Sequence, residues 1–150
     1  MAFPTISTGE AFSSTDAFRE VWSLDNFENA EVNTGTALIN NGRPGVAYTP
    51  SGSFTDSEPL GGMTISGIAV GGVGLDALQV SVATDGTYEF PVTGAGPTTD
   101  NGVLVYAVVA SGKITSLTLT STSNVLWGVV NNPQDYVAAS GVACVKIGVV

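Results

Sequence analysis

An all-β fold is the class this sequence predicts: a small antiparallel β-barrel or sandwich, preceded by an extended N-terminal arm containing a short helix. Three observations predict it. Apolar and polar residues alternate with the two-residue period of half-buried strands, Leu78, Val80 and Val82 against Gln79 and Ser81, and Leu117 and Leu119 against Ser116, Thr118 and Thr120. The 19 glycines recur between apolar runs, where tight turns need them. Hydrophobic residues make up 43% of the chain and charged residues only 11%, a mixture that suits packed strands joined by short loops. A length of 150 residues fits one domain with one core that needs neither disulfides nor metals.

Residues 1–34 form the arm and residues 35–150 the β-domain. In the arm the residues are mostly polar, yet Phe3, Phe12, Phe18, Trp22 and Phe27 recur along it. Ser13-Ser14-Thr15-Asp16 can cap a helix running to Ser23 or Leu24, because Phe18, Val21 and Trp22 then share one face. Two or three turns are too short to stand alone. The aromatics must therefore dock on a β-body, their own or a neighbour's. Phe12, Phe18, Trp22 and Phe27 are the partner-binding candidates, with Phe18 and Trp22 expected to face a subunit boundary.

Residues 40–62, NNGRPGVAYTPSGSFTDSEPLGG, are rich in Gly, Pro and Ser and read as loop and edge strand. From Met63 onward about eight short strands are expected over the whole domain. Asp85-Gly86, between two strand patterns, signals a hairpin, and Ser111-Gly112 joins VLVYAVVA to KITSLTLT in the same way. In DGTYEFPV, Tyr88 and Phe90 face one side and Glu89 the other, and Pro91 ends the strand or marks an edge. Val125-Leu126-Trp127-Gly128-Val129-Val130 reads as a central buried strand, and GVACVKIGVV as the last one. The loops at 50–62 and 93–102 are expected to be the least ordered parts of the domain.

Charge narrows the partners. The formal net charge is -9 and the only cations are Arg19, Arg43, Lys113 and Lys146, too few for a stripe that displaces counterions from nucleic acid. No apolar run approaches the ~18 residues of a membrane span, and MAFPTISTGE lacks the basic and apolar regions of an export signal, so a cytosolic product without a membrane partner is expected. A low charge fraction with a mean hydropathy of +0.30 implies apolar surface suited to subunit contacts.

Catalytic chemistry finds little to work with. With no histidine, a histidine base or Ser-His-Asp relay is excluded. Cys144, the single cysteine, sits mid-strand and reads as a buried, inert thiol. Asp100-Asn101-Gly102 supplies too few oxygens for a calcium loop and reads as a turn; Gly71-Gly72-Val73-Gly74 has no lysine and no helix behind it for a phosphate. No carboxylate pair can be singled out. The expectation is a protein with no catalytic, metal or cofactor site.

An ordered series of short motifs points elsewhere: GIAVGG, DGTYEFPV before a Gly/Ala/Pro/Thr loop, NGVLVYAVVASGKIT, NVLWGVVNN and SGVACVKIGV. From about Gly61 to Val150 this series resembles the capsid cement, or head decoration, proteins of tailed bacteriophages. Residues 1 to about 60 lie outside the likeness. The resemblance implies a β-tulip-like fold, no enzymatic activity, and a structural protein on the exterior of a virion. It implies binding to the major capsid protein, commonly as a homotrimer. The alternative is a β-sandwich that recognises glycans or a receptor from a virion fibre or surface, with Trp22, Tyr48, Tyr106 or Tyr136 stacking on sugar.

Overall fold

The computed structural model describes residues 9–10, 19–27, 32–48, 55–60, 63–69 and 79–147. Its strands are β1 (Gly9–Glu10), β2 (Arg19–Ser23), β3 (Ala37–Asn40), β4 (Arg43–Ala47), β5 (Thr55–Leu60) and β6 (Met63–Ala69). They continue as β7 (Gln79–Ala83), β8 (Gly86–Pro91), β9 (Leu104–Ala110), β10 (Lys113–Thr118), β11 (Val125–Val130) and β12 (Val142–Ile147). One short 3₁₀ turn, Leu24–Phe27, follows β2. The all-β class is therefore the observed one, built as two curled antiparallel sheets. The larger sheet runs β1-β8-β12-β11-β9-β10, the smaller β2-β7-β4-β3, and β5 pairs with β6 alone.

Strand alternation explains how the smaller sheet is buried on both faces. Ala37 and Ile39 of β3, Val46 of β4 and Ala83 of β7 point to the larger sheet, where they meet Tyr88, Phe90, Val105, Ala107, Ile114, Leu117, Trp127 and Val145. Leu38, Ala47, Val80 and Val82, each an odd number of residues from these on its own strand, point the other way and pack with Trp22, Leu24, Phe27 and Val32. The stretch read as an arm thus supplies the cover over the smaller sheet's outer face.

Two tight hairpins have positive φ at both central residues, the requirement of a type I′ turn. Ser111 and Gly112 (φ 51° and 74°) join β9 to β10, as the sequence predicts. Asn41 and Gly42 (φ 51° and 76°) join β3 to β4, so part of the passage expected to be loop and edge strand is a regular hairpin closed by the Asn40–Arg43 pair.

Asp85-Gly86 departs from expectation. Strand β7 pairs with β2 and β4, while β8 pairs with β1 and β12, so this turn carries the chain from one sheet to the other. Of its two residues only Gly86 has positive φ (102°), which does not make a I′ hairpin. A side chain there would press on the Tyr88 ring, at 3.1 Å from a Cβ.

The expected helix is also corrected. Residues 13–18 lie outside the described residues, but Arg19–Ser23 is a strand, paired from Arg19–Ala83 to Ser23–Gln79. Helical spacing places Val21 and Trp22 on one face; in the strand they face opposite sides, Val21 being 56% exposed and Trp22 only 4%. The Trp22 ring crosses β7 to reach Gly45 on β4, where a Cβ would lie 2.3 Å from Val82 Cγ1 and 2.8 Å from Trp22 Cη2. Gly45→Ala is expected to destabilise the protein by about 1–3 kcal/mol through overpacking, read as a lower midpoint in urea unfolding.

The 93–102 segment is not the loose loop anticipated. Thr93 N–H donates to Leu117 O (2.8 Å), Leu119 N–H to Thr93 O (3.2 Å), Gly141 N–H to Ala95 O (2.8 Å) and Gly102 N–H to Val130 O (2.9 Å). Within 50–62, Thr55–Leu60 is strand β5, and residues 49–54 and 61–62 lie outside the described residues. Among the described residues no helix is long and apolar enough to cross a membrane.

Candidate interaction surface

The inner face of β9 is settled by Val105 and Ala107, both fully buried in the core between the sheets. Alternation then turns Leu104, Tyr106 and Val108 to the outer face. Cross-strand partners share a face, and the partners continue the same surface: Leu104 opposite Val129, Tyr106 opposite Leu126 and Thr118, Val108 opposite Ser116. Leu104 is 42% exposed, and Tyr106, Val108, Leu126 and Val129 are half-buried.

Across β10, β9 and β11 the only charged residue is Lys113, which is itself buried. Charge resumes on the next strands, with Lys146 of β12 opposite Val129 and Glu89 of β8 beyond it. A chain of net charge -9 thus presents three adjacent strands with an uncharged outer surface centred on a tyrosine. Depletion of charge and the presence of Tyr are the compositional marks of an interface core.

Apolar surface continues around the end of the sheet. Val109 and Val125, 38% and 40% exposed, flank a cleft of about 300 Å³ between the two hairpin tips. Ile39, Asn40, Asn41 and Gly42 form one wall, and Gly112 lies on the other side.

Beside the uncharged field, the loop after β11 is tied down by a polar network. Asn131 N–H donates to Cys144 O (2.8 Å), and Cys144 N–H to Asn132 Oδ1 (3.0 Å). Asn131 Nδ2 donates to Thr87 Oγ1 (2.9 Å). The Tyr136 hydroxyl closes the loop by donating to the Glu89 carboxylate.

Burial, and then the bond to Glu89, raise the Tyr136 pKa well above its ordinary 10.0. Burial is also the main reason that the Cys144 thiol stands above its ordinary 9.0, with the Tyr136 hydrogen bond opposing. Cys144 is fully buried, as the sequence predicts, and its raised pKa keeps it a thiol at neutral pH.

Both folded-state shifts are upward, so the stabilisation they report is complete below the ordinary values and is lost as pH rises beyond them. Stability to urea should fall as pH climbs from about 9 into the strongly alkaline range, and Tyr136→Phe should make that fall shallower. An unchanged pH slope in Tyr136→Phe contradicts the assignment.

The candidates named from sequence fare differently. Phe12 and Phe18 lie outside the described residues. Trp22 and Phe27 stack on each other, with centroids 6.3 Å apart, inside the chain's own second core. Buried there, at 4% and 0% exposure, they offer no surface to a partner; the two-residue period turned inward the tryptophan that a helix would have aligned with Val21.

Trp22 is further held by Glu20, which accepts from its Nε1 at 3.0 Å and from Arg43. These two bonds lower the Glu20 pKa. Of the tyrosines considered for sugar stacking, Tyr48 has Arg19 over its ring at 3.4 Å, Tyr136 is bonded to Glu89, and Tyr106 stands in the uncharged field.

Sequence reasoning missed the field itself. Its signal was LVYAVVA, apolar at both parities, which demands cover on both faces or a partner on one. Among the described residues no group of three His, Cys, Asp or Glu side chains is arranged to hold a metal. Comparisons with protein-family models, with curated proteins and with solved structures give no match.

Proposed function

We propose that this protein is a capsid cement protein, which binds the exterior of a tailed-phage head and clamps neighbouring major capsid subunits. The observation that carries the reading is the uncharged outer surface of β10, β9 and β11 on an otherwise acidic chain. It supplies an apolar docking face in a domain whose net charge disfavours packaged DNA as a partner.

Four of the five motifs that resemble the cement family support the same reading by where they fall, while GIAVGG begins on β6, in the two-stranded sheet. DGTYEFPV lies on β8, NGVLVYAVVASGKIT on β9 and β10, NVLWGVVNN on β11 and SGVACVKIGV on β12, successive members of the larger sheet. Homotrimer formation, with copies meeting around a coat-subunit junction, is part of the proposal. Many copies each adding a modest contact suffice to stiffen a shell.

Heads assembled with and without the protein, then challenged by heat or EDTA, test the function. The decorated heads are expected to retain more genome; equal retention contradicts the reading.

A further inference from the structure

We infer that Asn41-Gly42 is a site of spontaneous deamidation in the folded protein, and that Asn101-Gly102, the chain's other Asn-Gly pair, is protected by its hydrogen bonds. Both asparagines are exposed, so exposure does not separate them. In the reaction the backbone nitrogen of the glycine attacks the asparagine Cγ, forming a C–N bond and losing its proton. The side-chain nitrogen leaves as ammonia, and water opens the resulting cyclic imide to aspartate or isoaspartate. Water enters, ammonia departs, and no oxidant or cofactor takes part.

At Asn101 each reacting group is already engaged. Nδ2 donates to Asn132 O (3.1 Å), Oδ1 accepts from Asn132 N–H (2.7 Å), and the attacking nitrogen of Gly102 donates to Val130 O (2.9 Å). Attack requires breaking these bonds, each slowing the reaction roughly fivefold, on the order of a hundredfold together.

At Asn41 the situation is the reverse. Among the described residues neither its side chain nor the Gly42 amide makes a hydrogen bond, and the space around Gly42 is open: a Cβ there would meet nothing within 4 Å. The residue sits at the tip of a two-residue hairpin, where both backbone and side chain can reorient without disturbing the core. The product matters locally. A carboxylate replaces an amide on the wall of the hairpin-tip cleft, and isoaspartate lengthens a turn whose geometry sets the Asn40–Arg43 register.

Ageing the full-length protein in mildly alkaline buffer, with fragmentation mass spectrometry at intervals, tests this. Acid should accumulate at position 41 roughly a hundredfold faster than at 101 in the folded protein. A parallel sample held unfolded in denaturant should convert both at similar rates, showing that the difference lies in the fold. Comparable rates at the two positions in the folded protein overturn the inference. So does an Asn41 that stays intact while the unfolded sample converts.

Discussion

Trp127→Ala is expected to leave the protein largely unfolded under conditions where the unaltered chain is stable. Trp127 is fully buried between the sheets, packs edge-on against Phe90 at 5.3 Å, and donates from Nε1 to the Leu38 carbonyl at 2.9 Å. That hydrogen bond links β11 of the larger sheet to β3 of the smaller. Removing the ring costs about 3–5 kcal/mol in lost packing. Losing the indole hydrogen bond to the Leu38 carbonyl, which stays in the β3–β4 ladder opposite Gly45, adds about 0.5–1.5 kcal/mol. Their sum is a large share of the ~5–15 kcal/mol that stabilises a typical domain. Trp127→Phe retains most of the packing and should lose mainly the bond. Urea unfolding should place Trp127→Phe between the unaltered protein and Trp127→Ala; coincident midpoints for the two variants contradict the role of the ring.

Gly128→Ala should give the second large loss. An added Cβ would lie 2.6 Å from the Lys146 carbonyl oxygen and 2.7 Å from Val145 Cγ1. The first contact is backbone and cannot rotate away. Relief requires parting β11 from β12 beside the pairs Val129–Lys146 and Val130–Val145, in the middle of the larger sheet. Overpacking of this kind costs about 1–3 kcal/mol, more where backbone must move. The expected order is therefore Gly128→Ala more destabilising than Gly45→Ala, whose close contacts are side-chain atoms. Thermal melts of the two variants check it, and the reverse order contradicts it.

Strands β8 to β12 of the larger sheet were legible because their evidence is local, whereas β1 falls in the stretch read as an arm. Tyr88 and Phe90 alternate with Glu89, Ser111-Gly112 marks a turn that needs two positive φ values, and Trp127 sits in an uninterrupted apolar run. What failed depended on neighbours distant in sequence. Asp85-Gly86 looks like a hairpin from its flanks, but the faces to be buried decide which sheet each flank joins. Around Arg19–Ser23, Phe18, Val21 and Trp22 fit a helix as well as Trp22 and Leu24 fit a strand, and pairing of Arg19–Ser23 with β7 decided between them. Asn41-Gly42 carried a strong hairpin signal that was lost among the surrounding Gly, Pro and Ser. The uncharged face was invisible as a surface, because an apolar run reads the same whether a second layer covers it or a partner must.

The central claim, that the outer face of β9 and its neighbours docks on a coat shell, is tested most directly by placing charge there. Leu104→Lys combined with Val108→Glu alters two side chains on that face while sparing the core residues Val105 and Ala107. Co-sedimentation with mature coat shells measures the outcome, with circular dichroism and melting temperature confirming an intact fold. The account predicts a folded variant whose affinity for shells falls at least roughly tenfold, as expected when anchors of an interface core are lost. A folded variant that sediments with shells as the unaltered protein does contradicts it.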